Sequence, residues 1–231
     1  SEALYDSLWN KGNRNDIYGK KIFGYYDRIY PDGSDNRYYK TTAMRTYRFV
    51  QLDIVTKEDS LIIDDFFGVF TAFPFTCEAK FVCNNDTLNQ IREVSWRTLQ
   101  NSSFEDFIDP YYEQMQYIGD ARIEALAALS MSGDKRLMKK AIESFDNSRL
   151  PEGMTQSRYP AYIVQIIPTY SLLWICMVHD YMMYANDKSF ISERVDGIDA
   201  VLRWFRKRLD HTLMLTGLNW WNFTDWAIGY K

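Results

Sequence analysis

From Thr46 to Thr56 apolar and polar positions alternate, with Val50, Leu52 and Ile54 on one face. That period predicts a strand with one wet face, paired in an antiparallel sheet. Leu61-Ile-Ile63 and the Phe-, Val- and Thr-rich stretch 68–81 continue the β pattern, and Pro31-Asp-Gly-Ser34 marks a turn before them. From about residue 85 the period becomes helical. Asp86 is placed to cap a first helix carrying Leu88, Ile91 and Leu99. Gly119-Asp120 opens a second, with Ile123, Ala127 and Met131 spaced by four and Gly133 as its stop. Asp134 caps a third, whose Leu137, Met138, Ala141, Ile142 and Phe145 form one apolar stripe. Pro168 starts a fourth, apolar almost all round from Tyr170 to Val178. Asp187 precedes a fifth, with Ile191, Val195, Ile198, Leu202 and Phe205 inward.

Strands first and helices after predict two domains, not interleaved α/β. Residues 1–82 read as the end of an antiparallel β-sandwich domain and residues 83–231 as a helical one. A helix buried on all sides followed by one that buries a single stripe is what two concentric helical layers produce. The expected fold is therefore multi-domain, β then α, ending in the first part of an (α/α)6 toroid. A plain helical bundle is the alternative.

With 46% hydrophobic residues among 231, the chain has material for a packed core. The net charge of −4 and the lack of a Lys/Arg run give a nucleic-acid partner little support. Three cysteines without a CxxC pair and two distant histidines, His179 and His211, make no metal site, and no cofactor is expected. No apolar run reaches the roughly 18 residues of a membrane span. The chain begins Ser-Glu-Ala with no signal peptide, and both ends read as cut. Aromatic residues make up 16%, which serves either core packing or stacking on sugar rings.

Between the first two helices lies Phe107-Ile-Asp-Pro-Tyr-Tyr-Glu-Gln-Met-Gln-Tyr-Ile-Gly-Asp120. Acetal hydrolysis needs such a set: one carboxylic acid to protonate the leaving oxygen, others to hold hydroxyls or face developing positive charge. A ring beside Glu113 would desolvate it and suit it to acid duty, and Asp120 at a helix N-terminus would stay ionised and accept from hydroxyls. The plainer reading makes Asp109 and Asp120 caps and Glu113 a solvated charge.

The block 109–123, Asp-Pro-Tyr-Tyr-Glu-Gln-Met-Gln-Tyr-Ile-Gly-Asp-Ala-Arg-Ile, resembles the active-site signature of bacterial α-L-rhamnosidases, six-hairpin glycosidases. Aligned on Gly119-Asp120, the resemblance implies that Glu113 is the general acid, Asp120 a second catalytic carboxylate and Tyr117 an aromatic wall. Arg48-Phe-Val-Gln and Asp65-Phe-Phe-Gly look like the β-domain that leads into the catalytic barrel, and Trp221-Asn-Phe-Thr-Asp-Trp226 like a later substrate-binding loop. The implied substrate contacts are Asp109, Tyr117, Arg122, Trp174, Trp221, Asp225 and Trp226. Trp174 reads first as core, and Arg122 first as a local ion pair holding the loop. Arg158 and Tyr159 are rim candidates, and His179 a structural histidine.

Two positions depart from the pattern. Ile108 stands where the family carries Asp, with Asp109 beside it. The family's general base, a Glu much further on, has no counterpart before Lys231. An inverting pair needs both carboxyls, about 6.5–9.5 Å apart, so this polypeptide alone is expected to be inactive while its parent hydrolyses terminal α-L-rhamnosyl residues. The implied partner is a rhamnose-containing glycan or glycoside, met in the periplasm or outside the cell. Two other readings stand beside it: a six-hairpin glycosidase for another sugar, and a non-catalytic carbohydrate-binding or scaffold protein with a relic site.

Overall fold

The computed structural model describes residues 1–223 and Trp226. The chain separates into two compact units, residues 1–70 and residues 71 onward.

In the first unit, β1 (Leu4–Tyr5) and β2 (Lys21–Ile22) pair antiparallel, with Leu4 opposite Ile22 and Tyr5 opposite Lys21. Tyr5, Trp9 and Phe23 cluster beside this ladder, the last two stacked with centroids 4.0 Å apart. The strands predicted at 46–56, 61–63 and 68–81 are not formed, and the sheet among the described residues has two strands. Val50, Leu52 and Ile54 are about half exposed. Alternation prepares a segment for a sheet, but a strand exists only when a neighbour takes its backbone donors and acceptors. Among the described residues Ser1 takes the Arg48 and Phe49 amides and donates to the Phe49 carbonyl, but no ladder extends from that contact.

The second unit is helical: α1 (Asp86–Ser102), α2 (Ile118–Ser132), α3 (Arg136–Asn147), α4 (Pro168–Ala185), α5 (Lys188–Ser192) and α6 (Val195–Arg206). The cap of α1 is Asn85, one residue before the expected Asp86; its side chain accepts from the Thr87 and Leu88 amides. Gly133 ends α2 in the left-handed conformation, φ 67°. The predicted fifth helix divides into α5, capped by Asp187, and α6.

Packing radiates from α2 and α4, which lie against each other; α2 also meets α1 and α3, and α4 meets α3, α5 and α6. The α3 stripe is buried as the pattern predicts. In α2 the buried face is Ile118, Ala121, Ala125, Ala128 and Leu129, not the expected Ile123 stripe, and Ile123 is exposed. Small side chains on that face let α2 approach α4 closely, and close approach outweighs the transfer gain of one isoleucine. The fourth helix also differs: Tyr170, Ser171, Trp174, Met177, Val178 and Tyr181 are buried, while Cys176 and Met183 are exposed, so α4 buries one broad face. Among the described residues no helix is long and apolar enough to cross a membrane.

Side-chain links tie the helices. Arg122 Nε of α2 meets Asp180 Oδ2 of α4 at 2.7 Å. Lys139 of α3 meets Asp187, the cap of α5, at 2.9 Å. Trp174 of α4 donates from Nε1 to the Ile142 carbonyl of α3 at 3.1 Å.

Candidate active site

The loop between α1 and α2 is built by its own polar groups. The Ile108 amide donates to the Ser102 carbonyl at 2.8 Å, closing the end of α1, and Phe107 is buried beneath. Asp109 Oδ1 then accepts from three amides, Tyr111 at 3.0 Å, Tyr112 at 2.9 Å and Glu113 at 3.3 Å, and the Asp109 amide donates to the Met115 carbonyl at 3.2 Å. With Pro110 unable to donate, this carboxylate gathers the turn's orphan donors. Asp109 is thus employed in shaping the loop.

The far end of the loop is pinned to the segment that follows α3. Gln116, buried, donates from Nε2 to the Tyr159 carbonyl at 2.9 Å, and the Tyr159 amide returns a bond to the Gln116 carbonyl at 3.0 Å. The Ile118 amide, one of the orphan donors at the start of α2, donates to the Ser157 carbonyl at 2.9 Å. Ser157 in turn bonds Gln165 through its amide, at 2.9 Å, and its hydroxyl, at 2.7 Å, and the Trp221 amide donates to Ile166 at 3.3 Å. A continuous line of hydrogen bonds therefore gathers the acidic loop, the 157–166 segment and the aromatic segment at one end of the helices.

Gly119 gives the ring of α4 a close approach to the first turn of α2. A Cβ there would lie 3.1 Å from Tyr170 Cζ and 3.2 Å from its hydroxyl, so the ring would have to give by a few tenths of an ångström.

The polar face holds Glu113, Tyr117 and Arg158. Arg158 Nη1 donates to the Tyr117 hydroxyl at 3.0 Å, its guanidinium 5.8 Å from that ring's centre, and the same hydroxyl hydrogen-bonds Glu113. Burial, more than the Glu113 bond, pushes the Tyr117 phenol above its ordinary range, so Tyr117 stays protonated and donates to the carboxylate. Glu113 and Asp120 are both exposed, and Asp120 sits in the first turn of α2. The ring expected to desolvate Glu113 is Tyr117, but it meets the carboxyl through its hydroxyl and leaves it accessible.

The acid of the site with a buried, unpartnered carboxyl oxygen is a residue the sequence did not single out. Glu124, one turn after Asp120, is pushed up to about 8, first by burial, then by the charge of Asp120, with Asp109 adding to it. The i, i+4 spacing of two carboxylates on one helix was the available signal.

Two predicted contacts belong elsewhere. Trp174 is fully buried between α3 and α4, its N–H taken by Ile142 and its ring faced by Arg149 at 4.8 Å; it is core and does not line the site. Arg122 is paired with Asp180 and so fastens α2 to α4. His179 is exposed beside Asp180.

Trp221, Phe223 and Trp226 form an aromatic group, with Trp221 4.5 Å from Phe223 and 5.9 Å from Trp226 between ring centres. Thr169 of α4 anchors it by donating to the Phe223 carbonyl at 3.0 Å. Trp226 is 79% exposed, a large apolar face with room for a sugar ring. Asp225 lies outside the described residues.

Carboxylates, a phenol–guanidinium pair and exposed tryptophans thus lie at one end of the helical unit. The particular family follows from comparison: residues 77–230 match the bacterial α-L-rhamnosidase six-hairpin glycosidase domain. The chain belongs to this family of glycoside hydrolases. Three solved structures share its fold. A GH78 family rhamnosidase of Bacillus sp. GL1 superposes with a TM-score of 0.64 at 23% identity, over 67% of this chain and 16% of that one. A rhamnosidase from Klebsiella oxytoca with rhamnose bound gives 0.58 at 24%, over 62% and 29%. An α-L-rhamnosidase from Dictyoglumus thermophilum gives 0.55 at 18%, over 59% and 16%. The chain thus spans less than a third of the length of each. No curated protein matches it.

Proposed function

We propose that the protein carrying this chain removes terminal α-L-rhamnosyl residues from a glycan or glycoside, with inversion at the anomeric carbon. Glu113 is the general acid: its carboxyl is accessible to a glycosidic oxygen and is held by the Tyr117 hydroxyl, which Arg158 orients. Asp120 is the second carboxylate, accepting from sugar hydroxyls and facing the positive charge that grows at C1. Asp109 fixes the loop that carries Glu113. Trp221, Trp226 and Asp225 form the binding wall. The single observation that carries this reading is the Glu113–Tyr117–Arg158 chain, which joins the acid to the segment after α3 at the mouth of α2.

The same reading takes residues 83–231 as the opening part of a six-hairpin (α/α)6 ring preceded by a β segment, 1–82. We assign no general base within residues 1–231, so a polypeptide of these residues alone is expected to be without turnover. A periplasmic or extracellular setting fits a glycan substrate.

Proton NMR of the intact natural protein acting on an α-L-rhamnoside tests the proposal. β-L-Rhamnose appears first if the reaction inverts. First release of the α-anomer contradicts inversion, and no release contradicts the substrate.

A further inference from the structure

The turn after α3 and the last turns of α6 enclose a cleft of about 400 Å³, which shares no lining residue with the acid-bearing loop or the aromatic group. Its walls are tied together. Gly153, at φ 103°, lets the turn lie against α6, where a Cβ would stand 3.0 Å from that of Ala200. Arg149 Nη1 donates to the Gly153 carbonyl and, at 3.1 Å, to the Gly197 carbonyl of α6, so one guanidinium joins both walls.

The chemistry of this cleft is unbalanced. Arg203, Lys207 and Arg208 line it beside a single acid, Glu152. Cations at a helix C-terminus are ordinary, and Arg208 fills that part. Its Nη1 donates to the Trp204 carbonyl at 3.0 Å, and its guanidinium covers the Trp204 ring at 3.6 Å. Arg203 and Lys207 have no such duty. Both are exposed, and among the described residues neither side chain has a hydrogen bond or an ion pair, with Glu152 or with any other acid. Trp204 is 3% exposed, and its Nε1 is buried without an acceptor, although a buried indole N–H ordinarily has one. The cleft thus carries an excess of donors and of positive charge.

Both signs of charge bear on what fits. A free inorganic anion would satisfy the cations, but Glu152 would repel it, and it would fill little of a space in the range of small-molecule sites. A sugar acid suits both walls. Its carboxylate meets the cations and its hydroxyls donate to Glu152. We propose that this cleft binds a uronic-acid unit of a saccharide, with Arg203 and Lys207 holding the carboxylate and Glu152 a hydroxyl. The role of the cleft does not depend on Glu113 or Asp120.

Calorimetric titration of the intact natural protein with glucuronate, glucose and inorganic sulfate, at low ionic strength, tests this. Glucuronate should bind at least about tenfold more tightly than glucose or sulfate, the scale of one hydrogen bond to a charged group. Arg203→Ala combined with Lys207→Ala changes two exposed side chains, so the melting temperature should hold while glucuronate affinity falls about tenfold or more. Glu152→Ala should weaken glucuronate and leave sulfate no weaker. Sulfate binding as tight as that of glucuronate would mark an inorganic-anion site and overturn the sugar assignment. Absence of glucuronate binding, or binding that survives the double change, overturns the cleft as a site.

Discussion

Arg158 and Tyr117 are joined twice, by a backbone bridge between their strands of loop and by the Nη1 to hydroxyl bond of 3.0 Å. The pair links the acid-bearing loop to the segment after α3. Removing the side-chain link while keeping the backbone one should disturb the acid without unfolding the protein. Arg158→Ala in the intact protein is expected to lower kcat/KM by about ten- to a hundredfold, the scale of one hydrogen bond to a charged group. The urea midpoint should move little. A large loss of stability with normal kinetics would make the pair a structural clasp only.

Arg122 and Asp180 pair across α2 and α4, with side chains 26% and 16% exposed. Arg122→Ala leaves a largely buried carboxylate unpaired and should cost about 1–3 kcal/mol of stability, between the exposed and fully buried cases. The double change Arg122→Met with Asp180→Leu should recover most of it. Urea denaturation of the three proteins decides. A rise in KM without loss of stability would return Arg122 to the substrate.

Gly119→Ala sets a methyl 3.1 Å from the Tyr170 ring. Overpacking of this kind costs about 1–3 kcal/mol, and Tyr170→Leu in the same protein should relieve part of it. Additive losses in thermal melts would show that the ring is not what glycine accommodates.

Stability should also depend on Glu124. Its folded-state value, raised by burial to about 8 from the ordinary carboxylate range, means the native state holds a proton that the unfolded chain releases. The stabilisation is complete below the unfolded value and is lost as pH rises through the folded one. The urea midpoint should therefore fall between about pH 5 and pH 8 in wild type, with a shallower fall in Glu124→Gln. Parallel slopes would mean that Glu124 ionises alike in both states.

What the sequence made legible follows the range of the forces involved. The α3 stripe and the Gly133 stop are local, set by side-chain period and backbone conformation, and both stand as read. The family was legible too, because its loop residues are consecutive. Burial around α2 and α4 was not: Ile123 and Cys176 are exposed because the partner helix, not hydropathy, decides which face turns inward. The strand at 46–56 failed for a related reason, since alternation specifies a face and leaves the pairing partner open. Trp174 and Arg122 looked like ligand contacts by type, and became core and clasp once Ile142 and Asp180 came within reach. Glu124 escaped notice because burial by α1 and the loop is a tertiary event.

The central claim is that Glu113 donates the proton to the leaving oxygen, and Glu113→Gln in the intact protein tests it most directly. With a poor leaving group, the rate should fall by about a hundred- to ten-thousandfold, the usual reach of a positioned acid. With an activated aryl rhamnoside, which departs with little protonation, the loss should be at least tenfold smaller. Equal losses on the two substrates would remove Glu113 from the acid role.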